Sequence, residues 1–582
     1  MDPKGKGSPD ASGLARVGST FPDEVMQIVL ALLNSHRDRS SVSLVCKNWY
    51  DAERFSRTHV FIGNCYSVSP EIVTRRFPNI RKVTLKGKPR FADFNLVPPN
   101  WGADIRSWLL VFAARNLCLE ELRLKRMTVS DESLKFLSLS FPNFKALSLL
   151  HCDGFSTDGL AAIATHCMNL AELDIQENDI NDKSGSWLSC FPENFSSLEV
   201  LNFANLRNEV NFEALDRLVS RCKSLKVLKV NKNISAEQLK RLLVHAPQLT
   251  ELGTGTFLQD LTSCQYSELE SAFNKCKNLK TLSGLSEVTA LHLTPLYPAC
   301  TNLIFLNLSY SALKDVQLAK LLVRCPCLRR LWVLETVGDK GLEAVGSNCP
   351  MLEDLRVFPA DTFEDIAHGV TESGFVSVSY GCPRLRYVLY FCQQMTNAAV
   401  ATIVHNCPNF THFRLCIMNP CQPDYQTNEP MDKAFCAVVK TCAKLQRLAV
   451  SGLLTDVTFE SIGRYAKSLK TLSVAFAGSS DWGMQCVLGG CPKLRKLEIR
   501  DCPFGNAALL SGFKKYDSLR SLWMSDCKVT MNGCRLLAKE RPWLNVEVMK
   551  EEGSNESRAN KVYVYRSVAG PRRDAPPFVL TL

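Results

Sequence analysis

One apolar pattern, L-x-x-L-x-L, recurs along almost the entire 582-residue chain and restricts the fold more than any other feature. It begins at Ile80 (IRKVTL), returns at Leu119 and Phe144, and continues through Leu385, Phe410, Leu445, Leu469, Leu494 and Leu519 to Leu544, about eighteen units in all. Alternate side chains of a strand point to opposite faces, so the paired leucines predict a strand with one buried face. Most units start 24 to 28 residues apart, which leaves room for one helix between strands. TDGLAAIATHC is such a segment, with Leu160, Ile163 and Ala164 on one face.

This period is that of a leucine-rich repeat, one strand and one helix per unit. Each unit then contacts only its neighbours, so the chain grows without a single central core. The expected fold is an α/β solenoid: a closed leucine-rich-repeat horseshoe over residues 63–566. It follows a disordered lead (1–19) and a helical segment (20–62), and precedes a C-terminal tail (567–582). The third, fifth and seventh residues of each unit should line the concave face.

Four spacings are long: 39 residues from Ile80, 30 from Leu249, 33 from Leu352 and 35 from Phe410. In three of these units the extra residues directly follow the strand, in 88–102, 359–370 and 418–430. Solenoid insertions of this kind emerge as loops, often on the binding face. A curled solenoid would bring the first loop towards the two late ones.

The 25 cysteines are odd in number and no export signal precedes them. Ten, from Cys167 to Cys491, stand three residues before a unit's first apolar residue. One cysteine per repeat is the pattern of buried thiols used as small apolar spacers, not of a disulfide framework. No run of eighteen uncharged apolar residues is present, so no membrane partner is expected. The net charge of +11 points to an anionic partner without selecting one.

Residues 20–62 break the repeat. Thr20-Phe-Pro-Asp-Glu reads as a helix start. Val25, Ile28, Val29, Leu32 and Leu33 follow as an apolar stripe. A second helix is expected from Ser40, with Val42, Val45 and Trp49 on one face. Helices this short cannot bury their apolar surface alone and must dock on the solenoid, on a partner or on both. FPDEV followed by SLVCKNWYDAERFSR resembles the F-box, which docks on the Skp adaptor of cullin–RING ubiquitin ligases. That resemblance implies that Phe21, Pro22, Val25, Ile28, Val29 and Leu32 face the adaptor.

Cations gather at concave positions of the first two and the later units: Lys82, Lys86, Arg123, Lys125, Arg330, Arg356, His412, Arg414, Arg447, Lys496 and Arg500. Like charges converging within a Debye length of roughly 8–10 Å need an anion. A closed concavity suits a polyphosphate or an acidic peptide better than nucleic acid, which favours a stripe. Aromatics that the repeat does not require lie near them: Phe91 and Phe94 in the first loop, Phe363 in the second, and Phe391 in its strand, beside apolar Leu389. Such a pocket with one arginine suits a small flat acid.

Segments across the chain, among them LKGKPRFADFNLVP (85–98), RLKRM (123–127), VLYFCQQMTNAA (388–399), FRLCI (413–417) and LEIRDCPFG (497–505), resemble the auxin-receptor F-box family of plants. The resemblance implies an auxin site of Arg414, Phe91, Phe94, Leu389, Phe391, Leu415, Ser473, Ala475 and Ala449, with Arg414 taking the carboxylate. It implies substrate-peptide contacts at Phe363, Cys416, Arg90, Asp93 and Glu498. It also implies an inositol hexakisphosphate site of Lys86, Lys125, Arg126, Arg356, Arg414, Arg447, Arg495, Lys496 and Arg520; Arg126, Arg495 and Arg520 are taken from the resemblance alone. Three residues depart from some members: Arg90 for histidine, Ala449 for serine and His412 for arginine.

The implied activity is recruitment rather than catalysis. Auxin (indole-3-acetic acid) would act as glue for an Aux/IAA repressor degron, beside cullin and RING subunits, in the nucleus or also the cytoplasm. A jasmonate-type receptor and a ligand-independent F-box adaptor are the alternatives.

Overall fold

A computed structural model describes residues 23–33, 35–65, 68–88, 103–257, 262–311, 313–360, 369–552, 560–565 and 579–581. Among the described residues, twenty-one strands form one sheet. Apart from the last two strands, every neighbouring pair in it is parallel, one strand per repeat. Like residues stack on like: Leu331, Leu355, Val388, Phe413, Leu448, Leu472, Leu497 and Leu522 are aligned across eight strands. All are buried in one continuous core. The carbonyl before each strand accepts two N–H groups from the next unit. Lys470 O, for instance, takes Arg495 N at 2.8 Å and Lys496 N at 3.0 Å.

Helices line the other side of the core. Thr157–His166 buries Leu160, Ile163 and Ala164, as its periodicity predicts. First-turn aspartates tie successive helices together: Asp131 accepts from Ser156 N at 2.7 Å and Gly159 N at 3.1 Å, and Asp339 accepts from Thr371 N at 2.8 Å and Gly374 N at 3.1 Å. Each of the ten repeat cysteines is buried and unbridged. Their thiols turn to backbone carbonyls, Cys382 Sγ to Cys349 O at 3.1 Å and Cys407 Sγ to Cys382 O at 3.4 Å. Burial pushes Cys349 and Cys407 up to about 12, so they remain thiols.

The ends of the array differ from the sequence expectation. The sheet starts inside the segment assigned to the helices, with strand His59–Ile62 paired to Lys82–Lys86. Val60 and Ile62 fill the core, but the place of the first leucine is held by Arg57, whose charge is satisfied by Glu53. The Leu544 unit is one residue short. Asn545 pairs with Ser521 and Glu547 with Trp523, so these two line the concavity while Val546 and Val548 enter the core. Strand Val579–Thr581, within the expected tail, adds to Asn560–Tyr565. The two edges of the sheet do not pair with each other among the described residues. The horseshoe is therefore an open sheet whose ends face one another.

Among the described residues, three helices precede the sheet: α1 (Asp23–Leu32), α2 (His36–Val42) and α3 (Lys47–Ser56). Ser40 lies inside α2 rather than at its start; Ser35 is the cap, its hydroxyl accepting from Asp38 N. Val42, Val45 and Trp49 consequently fall on two helices and the turn between them. Glu53 of α3 is fully buried and anchors this unit. It meets Arg57, Arg76 Nη2 at 3.0 Å and Arg39 Nε at 3.7 Å. Arg76 belongs to the first solenoid helix, Pro70–Arg76, and its guanidinium stacks on Tyr50 at 3.5 Å. Met26 and Leu30 of α1 face inward, whereas Val25, Ile28, Val29 and Leu32 are 40%, 64%, 52% and 75% exposed. Phe21 and Pro22 lie outside the described residues.

Candidate functional site

Strand pairing fixes which concave residues are neighbours. One row runs Asn307, Trp332, Arg356, Leu389, Arg414, Ala449, Ser473, Glu498, Trp523, Glu547. The row beside it, nearer the strand starts, runs Phe305, Arg330, Asp354, Tyr387, His412, Arg447, Thr471, Lys496, Ser521. On the other side Phe391 pairs with Cys416, and Ala475 with Arg500. Arg414 is thus set between apolar Leu389 and Ala449, with Phe391 and Cys416 on the loop side and His412 and Arg447 on the opposite side. Leu389 is 6% exposed yet lies outside the solenoid core, so it is covered from the concave side. Burial raises the Cys416 thiol, and the nearby Arg414 charge opposes that rise.

Ser473 donates to Glu498, whose other oxygen takes Lys496 Nζ at 2.8 Å. Glu498 is buried, so this corner is polar and already paired. Leu415 is a correction: it is 1% exposed inside the solenoid core, behind the strand that carries Arg414 and Cys416. It supports the site without lining it. Phe91, Phe94, Arg90, Asp93 and Phe363 lie outside the described residues. The third long loop is described and firmly held. Its Asp424 carboxylate accepts from the N–H groups of Asn397 (2.7 Å), Gln426 (2.9 Å) and Thr427 (3.1 Å), and Tyr425 donates to Glu372 at 2.9 Å.

The cations divide into paired and clustered groups. Lys82 is taken by Glu121, and Arg123 forms a fork with Glu172 at 2.7 and 2.6 Å. Arg500 turns to Asp501 at 2.8 Å. Lys86, by contrast, is held below the usual lysine range, first by burial and then by Lys125, Arg126 and Lys496. Lys496 is on the nineteenth strand of the chain and Lys86 on the second, so an early and a late repeat share one field across the concavity. Glu547 lies there too. Burial pushes its carboxyl up to about 7 against the pull of Lys496 and Arg126. His412 is lowered by burial and then by Arg447, which favours its neutral form. Arg495 and Arg520 sit at the strand starts of their units, where they line a cavity facing α2.

Sequence reasoning overlooked an aromatic ladder before the pocket. Phe305 meets Trp332 edge-on at 5.0 Å, and Trp332 meets Phe358 at 6.1 Å. Arg330 stacks over Phe305 at 4.4 Å and Arg356 over Trp332 at 4.2 Å. Asp354 completes a clamp on Arg356, Nε at 3.1 Å and Nη2 at 3.2 Å. The signal was present in RLWVL (330–334), which puts a tryptophan at a concave position.

The model of the transport inhibitor response 1 protein domain matches residues 78–124, an F-box model matches 18–59, and a leucine-rich-repeat model matches 166–189. GRR1-like protein 1 of Arabidopsis thaliana is 50% identical over 97% of this chain and 98% of its own. A transport inhibitor response 1-like protein of Oryza sativa subsp. japonica is 49% identical over 96% of both chains. Coronatine-insensitive protein 1 of Arabidopsis thaliana is 31% identical over 96% of both. Fold and comparisons define an F-box protein with a leucine-rich-repeat solenoid, a class that recruits substrates, with a Skp-type adaptor and its cullin ligase as partners. Within that class, the chain belongs to the transport inhibitor response 1-like family.

Proposed function

We propose that this protein is an auxin receptor: a non-catalytic substrate-recruiting subunit whose concave pocket takes indole-3-acetic acid and, over it, the degron of an Aux/IAA repressor. The observation that carries this reading is the placement of Arg414 between Leu389 and Ala449, below Phe391 and Cys416. A guanidinium flanked by apolar walls takes a carboxylate in a fork while the ring of a flat acid packs beside it. The hormone then enlarges the apolar surface offered to the peptide. Inositol hexakisphosphate fills the cation cluster of Lys86, Lys125, Arg126, Arg356, Arg414, Arg447, Arg495, Lys496 and Arg520, and the complex works in the nucleus. A jasmonate-type reading is weaker, because the coronatine-insensitive relative is 31% identical where the transport inhibitor response 1-like relative is 49% identical.

The test is auxin-stimulated capture of a degron peptide by adaptor-bound protein. Losing one partner of a buried charge pair costs about 2–5 kcal/mol, so Arg414→Ala should abolish the stimulation. Equal stimulation in wild type and variant would refute the assignment.

A further inference from the structure

Two histidines meet where the F-box touches the first strand. His36 opens α2, and His59 opens strand His59–Ile62. Their rings stand edge to face, with centroids 4.7 Å apart and planes at 73°. The His36 ring also lies 6.0 Å from that of Phe61, two residues along the same strand. Phe61 is opposite Thr84, and Lys86 Nζ lies over its ring at 4.9 Å. His59 Nε2 shares a hydrogen bond with Thr84 Oγ1 at 3.2 Å. Among the described residues, His36 Nδ1 is buried without a hydrogen-bond partner. One chain of contacts thus runs from the adaptor-docking helices through both imidazoles to the concave face.

Among the described residues, each carboxylate facing the pair is already taken. Arg39 of α2 and Arg57 at the end of α3 face His36, and both are held by Glu53, which Arg76 shares. His59 is faced by His36 from α2, by Lys82 from the neighbouring strand, and by Glu121 and Arg123 from the strand beyond. Glu121 is taken by Lys82, and Arg123 is held by Glu172. Partial burial is the first cause that holds both imidazoles below the ordinary histidine range. Arg57 and Arg39 follow for His36, and His36 itself for His59, where Glu121 opposes. The closed junction therefore favours two neutral rings. We infer that this histidine pair is an acid-sensitive latch, closed while both rings are neutral and opened when either takes up a proton, which frees α2 from the first strand. Its contribution to stability is complete above the ordinary histidine pKa and is lost as pH falls through the lowered folded values. The F-box stays attached through the pair Glu53–Arg76, so the latch changes how the adaptor is set against the substrate-recruiting solenoid rather than releasing it.

The experiment uses full-length protein bound to its Skp-type adaptor. Hydrogen exchange of α2, corrected for the pH dependence of amide chemistry, is followed at about pH 7.5 and about pH 5.5, with helix Thr157–His166 as reference. A closure that expels one proton changes the opening equilibrium by up to about tenfold per pH unit. Wild type should therefore open roughly tenfold more often at the lower pH, relative to the reference helix. H36Q/H59Q should show no such slope. H36D should reverse it, because a carboxylate in the first turn of α2 then faces His59, and protonating His59 closes the latch. That reversal decides the matter even where H36Q/H59Q fails to fold. A flat wild-type response, an undiminished slope in H36Q/H59Q, or an unreversed slope in H36D would each overturn the latch.

Discussion

Replacing Glu53 with glutamine should loosen the F-box from the solenoid while leaving the repeats intact. Glu53 is 0% exposed and is approached by three arginines, of which Arg57 and Arg76 are in direct contact and Arg39 is at 3.7 Å. Arg39 comes from α2 and Arg76 from the first solenoid helix, so one carboxylate links both. Removing one partner of a buried pair costs roughly 3–5 kcal/mol, because the remaining charge is left desolvated. Glutamine keeps the shape and one acceptor oxygen, so the lower end applies. About 3 kcal/mol corresponds to roughly a hundredfold change in an equilibrium, at 1.4 kcal/mol per tenfold. Solenoid unfolding is not a single two-state event, so global melting is a poor readout. Amide exchange of α3, residues 47–56, is the suitable assay, because it reports local opening directly. The variant should exchange there roughly a hundredfold faster, with strands 354–358 and 412–417 unchanged. Exchange within about threefold of wild type would show that apolar packing alone holds the F-box, and the account of Glu53 would be wrong.

Three further outcomes follow from the geometry. Ile28→Ala/Leu32→Ala should weaken adaptor binding by about a hundredfold, since fully burying each side chain contributes about 1.5–3 kcal/mol; surface plasmon resonance against the adaptor checks it, and melting should not move because both are exposed. Trp332→Ala should reduce inositol hexakisphosphate affinity several-fold by releasing Arg356 from its stack at 4.2 Å, whereas Trp332→Phe keeps a ring there and should recover most of it by calorimetry. His412 is lowered by burial and by Arg447, with Arg356 and Lys470 also lowering it and Asp354 opposing. In the free protein the neutral imidazole is favoured, so its contribution to stability is present above the ordinary histidine pKa and is lost as pH falls through the lowered folded value. A bound polyanion raises that value again, so binding takes up a proton. Affinity should therefore rise as pH drops from 7.5 to 6, and His412→Ala should flatten that slope.

Most of the architecture was legible because repetition makes the same apolar choice many times over. The ten cysteines are buried where their spacing placed them, and Leu389, Arg414, Ser473 and Glu498 occupy the concave positions that the period assigns. What was missed lies where repetition fails. Arg57 stands in for the first leucine of strand His59–Ile62, and an ion pair leaves no apolar signal. One residue is absent before Val546, which shifts Glu547 into the concavity. Leu415 was assigned by resemblance to the pocket, although alternation along its own strand puts it in the core. Trp332 lies away from the long loops, at a concave position that the repeat itself presents. The fields that couple Lys86 to Lys496 and Arg126 to Glu547 join residues about four hundred positions apart in sequence. Only the curvature of the assembled solenoid brings them together.

The most direct measurement is the affinity of adaptor-bound wild-type protein for an Aux/IAA degron peptide, titrated alone, with indole-3-acetic acid and with jasmonoyl-isoleucine. The account predicts firm binding with indole-3-acetic acid and little in the other two titrations. Equal affinity in all three, or stimulation by jasmonoyl-isoleucine alone, would contradict it.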